Sequence, residues 1–200
     1  MAFLRSGIGS DWLPHVRVDG IHLRPPNMGD YGAWAELRAL SRDHLVPWEP
    51  QWTRDELSRD AFRRRVRHYQ RELREDLGYA FFLFRELDDR LLGGITLSNV
   101  RRGVTQAAAV GYWIGKPYAG RGCMTKALSG IIRFAFDELK LHRLEAACMP
   151  TNAASIRVLE KNGFQREGLA RRYLKIDGVW QDHLLYAILA DDRREGWWGA

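Results

Sequence analysis

The chain has 200 residues, 46% of them hydrophobic and 28% charged, with 19 glycines and a net charge of +6. That length suits one well-buried core, and the composition excludes fibrous, low-complexity and disordered classes. No run approaches the roughly 20 apolar residues that cross a bilayer, the start lacks the apolar centre of a secretory signal, and Cys123 and Cys148 form neither a CxxC pair nor a metal spacing with the histidines.

These features point to a cytoplasmic protein without a metal or a membrane partner, and the positive charge favours acidic partners: phosphorylated cofactors, nucleic acid or a ribonucleoprotein surface. Residues 1–15 read as a loosely held arm, 16–192 as one domain and 193–200 as a tail ending in GWWGA.

Alternation and β-branching over VRVDGIHLRP, residues 16–25, predict a first strand stopped by two prolines. Asp30 is placed to cap a helix running to about Ser41, with Trp34, Leu37 and Leu40 inward. HLVPWEPQW, residues 44–52, cannot continue that helix because its prolines lack the amide proton, so it reads as a shaped loop. Thr53 and Glu56 form a capping-box pattern opening a second helix that ends near Gly78. The basic run RRRVRHYQRELR lies on this helix, as a solvated face or as a contact surface for an acidic partner.

YAFFLFREL then reads as a buried strand, turning at Asp88-Asp89 into LLGGITLSNV. A fourth strand over about residues 106–115 leads into YAGRGCMTKAL. Beyond it Met124, Leu128, Ile131, Ile132, Ala135 and Leu139 recur at helical spacing. RLEAACM is a fifth strand, residues 152–162 a fourth helix closed by Gly163, and two last strands flank the Asp177-Gly178 turn. The expected fold is therefore α/β (α+β): a mixed, mostly antiparallel seven-stranded sheet with helices on both faces and one parallel crossover.

A glycine-rich loop at a helix N-terminus offers unpaired amides and the positive end of the helix dipole, which suits a diphosphate. A dinucleotide loop wants GxGxxG and a triphosphate loop GxxxxGK[ST]; the chain offers neither. The strand GYWIG leading into YAGRGCMTKAL, with a later strand leading into PTNAASIRVLEKNGF, resembles instead the acetyl-CoA core of the Gcn5-related N-acetyltransferases. Against that family's [QR]xxGx[GA] pattern, residues 119–124 read A-G-R-G-C-M: Gly122 fits, while Ala119 and Met124 depart from it. The run from His142 to His183, together with HLVPWEPQW and LSNVRRG, resembles the Rim-type branch, enzymes that acetylate ribosomal-protein N-termini.

The resemblance implies acetyl-CoA as cosubstrate, its diphosphate on the amides of Gly120, Arg121, Gly122, Cys123, Met124 and Thr125, with Arg121 adding charge-assisted bonds. It implies that the strand around Trp113 and Ile114 splays from the fifth strand and pairs with the pantetheine amides, and that Asn152 bonds to the pantetheine arm or caps its helix. Many members place a tyrosine four residues beyond Ser155 to protonate the leaving thiolate. Leu159 stands there in this chain, which leaves Ser155 as the acid candidate.

Glu145 is a candidate base through water, or else a partner of Arg143. Asp182 and His183 are adjacent on a strand, so they point to opposite faces and cannot converge on one site. The expected acceptor is a protein N-terminus, a ribosomal protein by likeness, with a possible ribosome contact through the basic surface and a monomer or homodimer as the working unit. The alternatives are acetylation of a small amine, such as an antibiotic or polyamine, and a non-catalytic module that binds coenzyme A or docks on RNA.

Overall fold

The computed structural model of the protein describes residues 13–192. Most of the expected N-terminal arm, and the whole expected tail, lie outside the described residues.

The sheet has eight strands rather than seven. Residues 16–25 form two of them, β1 (Val16–Val18) and β2 (Ile21–Arg24), paired antiparallel around Asp19-Gly20. Asp19 at φ 42° and Gly20 at φ 77° make the tight hairpin that an Asp-Gly pair favours. β3 (Tyr79–Arg85), β4 (Arg90–Arg101), β5 (Ala107–Ile114), β6 (Arg143–Cys148), β7 (Gln165–Ile176) and β8 (Val179–Leu189) complete the order β1-β2-β3-β4-β5-β6-β8-β7. Among the described residues only β5 and β6 run parallel, and they pair only through Ala107–Ala109 and Arg143–Glu145 before diverging.

The faces separate by alternation along each strand. Tyr79, Phe81 and Leu83 of β3 join the larger core, with α4 (Cys123–Arg133) and α5 (Ala153–Lys161) above them. Phe82 and Phe84 point the other way and pack with Trp34 of α1 (Tyr31–Leu40) and Phe62 and Val66 of α3 (Arg59–Arg74). A short α2 (Arg42–Leu45) and a 3-10 turn over Val46–Trp48 shape the proline-bracketed loop.

Three local expectations shift. Asp30 does not cap α1: it closes a capping box with Asn27 and takes two bonds from the Arg24 guanidinium, at 2.9 and 2.6 Å. Leu40 is 67% exposed, because α1 buries Trp34, Leu37 and Arg38 instead. The second long helix begins at Arg59, where the Ser58 hydroxyl accepts the Ala61 N–H. The Thr53 hydroxyl donates to Asp55 at 2.8 Å and reaches Glu56 only at 3.5 Å, and Arg64 and Arg65 reach back from α3 to the Asp55 and Glu56 carboxylates, so the predicted box is consumed in a turn ahead of the helix. The same helix ends at Arg74 rather than near Gly78, its chain reversing through a left-handed Asp76.

Candidate active site

β5 ends in a 3-10 turn over Lys116–Tyr118, and the chain then reaches α4 through two left-handed glycines, Gly120 at φ 74° and Gly122 at φ 78°. A Cβ at either would meet nothing within 4 Å, so glycine is required there by torsion and not by crowding. The loop thus faces open space. The first bond of the helical ladder is Lys126 N–H to Gly122 O, which leaves the amides of Cys123, Met124 and Thr125 ahead of it, at the positive end of the helix dipole. These are the donors an anionic diphosphate would take, and exposed Arg121 adds a cation beside them.

Met124 departs from the family pattern for a visible reason. Its side chain is 6% exposed and belongs to the core beneath α4, so only its main chain faces the loop. Cys123 is half-buried and Cys148 buried, and both are free thiols.

The second component is the gap where β6 leaves β5. Trp113 and Ile114 pair with Gly94 and Gly93 of β4 on one edge, while β5 pairs with β6 only as far as Ala109. Beside this gap stands the start of α5. Asn152 caps it, its Oδ1 accepting the Ser155 N–H at 3.0 Å. That satisfies the capping alternative and leaves the Asn152 amide nitrogen as a donor. The Tyr112 hydroxyl lies 2.9 Å from Ser155 Oγ and 3.3 Å from the Ser155 carbonyl. Burial raises the Tyr112 phenol above its ordinary range, and it also pushes the Cys148 thiol up, against a smaller opposing effect of the Ser155 hydroxyl. α5 is tied to α4 through Asn162, whose amide donates to the Thr125 carbonyl at 3.2 Å. Loop, gap and Ser155 are thus joined through one pair of helices.

On the opposite face, α1, the 46–56 segment and α3 enclose a cleft of about 350 Å³ against β3, β4 and β5. Arg38 at its floor is 4% exposed and grips both Glu49 oxygens, at 2.9 and 2.6 Å, while the Trp52 indole N–H donates to the same carboxylate at 2.8 Å. Indole rings of Trp52, Trp113 and Trp34 surround the Arg38 guanidinium, at 4.5, 5.1 and 5.9 Å to their centroids. Arg65 pairs with Glu56 in the same wall at 2.6 Å. Trp113 enters this cleft across Gly94, where a Cβ would stand 2.5 Å from the indole Nε1. The final hairpin touches the loop as well: Asp177 N–H donates to the Glu49 carbonyl at 2.9 Å.

Arg38 is not singled out by sequence; Glu49 and Trp52 enter there only as part of HLVPWEPQW, a segment suited to line a peptide groove, and Tyr112 only as a core aromatic. One signal was present: Arg38 falls within the inward stripe of α1 beside Trp34 and Leu37, where an unpaired charge would not be tolerated.

Glu145 is held elsewhere. β6 turns Leu144, Ala146 and Cys148 toward the larger core, so Glu145 faces the other side of the sheet from Ser155. Its oxygens bind Arg101 at 2.6 Å and Arg143 at 3.0 Å. Two guanidinium partners occupy its oxygens, which argues against a base role and for the alternative pairing. Asp182 accepts the Arg172 N–H at 2.8 Å while His183 is 3% exposed, so the two diverge as alternation requires.

A mixed sheet with one diverging parallel pair, and a glycine loop feeding a helix beside that divergence, define an acetyltransferase of the Gcn5-related class. The Acetyltransferase (GNAT) domain family matches residues 21–165, and the chain belongs to it. It is an acetyl-CoA-dependent N-acetyltransferase, with acetyl-CoA as cosubstrate.

Among particular relatives, the probable N-acetyltransferase YjcK of Bacillus subtilis (strain 168) is 41% identical over 86% of this chain and 95% of its own. The [ribosomal protein uS5]-alanine N-acetyltransferase of Escherichia coli (strain K12) is 33% identical over 92% of this chain and 96% of its own. Among solved structures, Mycobacterium smegmatis RimJ in complex with CoA-disulfide superposes with a TM-score of 0.83 at 34% identity, covering 90% of this chain and 88% of that one. No helix among the described residues is long and apolar enough to cross a membrane.

Proposed function

We propose that the chain transfers acetyl from acetyl-CoA to the α-amino group of a protein N-terminus, that of a ribosomal protein, by direct attack in a ternary complex. The observation that carries this reading is the character of the cleft opposite the glycine loop. Its carboxylates, Glu49 and Glu56, are each tied to an arginine, and Trp34, Trp52, Tyr69, Phe82 and Trp113 stand among its lining residues. A polyamine needs unpaired negative charge. A peptide end with a small first side chain needs apolar walls and a way out for the chain, which suits a cleft formed partly by a surface loop. The uS5-alanine acetyltransferase relative supports a ribosomal protein as acceptor.

In this reading the amides of Gly120 through Thr125 and the Arg121 side chain hold the diphosphate. The β5 edge at Trp113 and Ile114 pairs with the pantetheine arm, and the Asn152 amide nitrogen meets it from α5. The attacking amine must be neutral. An α-amino group, with a pKa of about 7.7–8.0, loses its proton at neutral pH for about 1 kcal/mol, against roughly 4 to 5 for a lysine of pKa about 10.4. A strong base is therefore dispensable, and the protein's task is to assist the departing sulfur, which falls to Ser155.

The test is release of free thiol from acetyl-CoA with short peptides beginning in Ala, Ser or Met, beside spermidine as competitor. A preference among the peptides is expected. Faster release with spermidine, or no discrimination among the peptides, would overturn the assignment of the acceptor.

A further inference from the structure

A serine hydroxyl carries one hydrogen and turns to suit its neighbours, so a serine that must donate toward a departing sulfur needs something to fix its rotation. Ser155 has such a neighbour. Tyr112 projects from β5 across the gap to α5, its oxygen 2.9 Å from Ser155 Oγ and 3.3 Å from the Ser155 carbonyl. The capping bond from Asn152 fixes the Ser155 main chain, so the only freedom left to the hydroxyl is its own torsion and hydrogen. The phenol has one hydrogen and two acceptors in reach: given to the Ser155 carbonyl at 3.3 Å, it leaves the serine hydrogen to point at Tyr112 or at the neighbouring Cys148 sulfur; given to Oγ over the shorter 2.9 Å, it releases the serine hydrogen toward the gap.

We propose that Tyr112 is a positioning residue for acetyl transfer, donating its hydrogen bond to Ser155 Oγ so that the Ser155 O–H is aimed at the sulfur leaving between β5 and β6. The inference rests on the reading of Ser155 as the acid.

The step balances without charging either residue. The amine lone pair forms the C–N bond to the acetyl carbon, and the C–S bond breaks with its electron pair on sulfur. Ser155 Oγ gives its hydrogen to sulfur while taking a proton from the newly acylated nitrogen, directly or through water. Tyr112 keeps its own proton throughout, which its burial favours.

The experiment is a double-mutant cycle of Tyr112→Phe and Ser155→Ala, read as single-turnover rate with acetyl-CoA and a saturating alanine-terminated peptide, with calorimetric affinity for CoA beside it. Each single variant is expected to lose about tenfold to a hundredfold in rate with CoA affinity within about twofold of the parent, and the double variant to match Ser155→Ala alone. Ser155→Thr, which keeps the hydroxyl, should recover rate only when Tyr112 is present. Full activity in Ser155→Ala would remove the acid reading and this inference with it. A slow Ser155→Ala beside an unimpaired Tyr112→Phe would remove the inference alone. Additive losses, or CoA affinity falling as far as the rate, would mean that Tyr112 is merely a strut between β5 and α5, and would overturn it.

Discussion

The two faces of the sheet hold their sites by different physics. On the α4 and α5 side the site is local in sequence: two left-handed glycines, the first turn of α4 and the capped start of α5, placed on an apolar core whose period shows in the chain. On the α1 and α3 side it is assembled from distant pieces, with Arg38 of one helix, Glu49 and Trp52 of a loop, Glu56 and Arg65 around the start of α3, and Trp113 arriving over Gly94. In the proposed function, main-chain donors serve a ligand group shared by every acyl-CoA reaction, whereas side-chain pairs shape the part that would meet the acceptor. The second region is therefore the one expected to differ between enzymes of this class, and the more fragile of the two.

The largest expected effect tests that fragility. Arg38→Leu leaves Glu49 without its guanidinium in a half-buried position, and breaking such a pair costs about 3 kcal/mol, or roughly 6–12 °C in melting temperature for a chain of this size. Peptide KM should rise while calorimetric affinity for CoA stays within about twofold. The double variant Arg38→Leu/Glu49→Leu should be more stable than the single one, since no uncompensated charge remains. Equal damage to CoA binding would break the separation between the faces.

Gly122→Val attacks the other region. A β-branched residue at φ 78° is strained by about 1–3 kcal/mol, so CoA affinity should fall roughly tenfold to a hundredfold. Because a Cβ at Gly122 meets no neighbour, the peptide cleft should keep its shape. Unchanged CoA affinity would mean that the diphosphate sits elsewhere.

These regions also differ in how far the sequence exposes them. The buried stripe from Met124 to Leu139, the Asn152 start and the Gly163 close are local signals, each caused by a short-range requirement of backbone or burial, and the structure keeps them, although α4 closes at Arg133 and Phe134–Glu138 wind on as a π-helix. Asp19-Gly20 was equally local but lay inside a run whose alternation continued through it, so one strand was read where a hairpin forms. Thr53 and Glu56 carry a valid capping pattern that loses to Asp55, which takes the Thr53 hydroxyl, and to Arg65, which reaches back nine residues for the Glu56 carboxylate. Tyr112 and Ser155 meet only because β6 leaves β5, and Arg38 finds Glu49 only because two prolines turn the loop back over α1. No short-range pattern records either meeting.

Asn152 allows a finer division of the first region. Asn152→Ala should cost about 1 kcal/mol of stability through the lost cap. Asn152→Ser supplies another capping oxygen but no amide nitrogen. Stability should therefore return in the serine variant while CoA affinity stays reduced, if the nitrogen meets the pantetheine arm. Full recovery of both by serine would make Asn152 a cap and nothing more.

The smallest expected effect concerns Glu145, where the two faces meet at the last paired residue of the parallel strands. Its carboxylate is shared between Arg101 and Arg143, and Arg143 also pairs with Glu167, whose carboxyl is held below its usual range by that guanidinium. Exposed pairs of this kind contribute little, so Glu145→Gln should change stability by less than about 1 kcal/mol. Its effect on catalysis follows from the proposed acceptor: an α-amino group needs only about 1 kcal/mol to lose its proton near pH 7, a cost that water and pH can meet. The kcat of Glu145→Gln, measured from pH 6 to 9 at saturating substrates, is expected to stay within about twofold of the parent, a change of under half a kcal/mol in barrier. A loss of tenfold or more, concentrated at the acid end where the amine is most protonated, would instead show Glu145 drawing that proton and would move the chemistry to the other side of the sheet from Ser155.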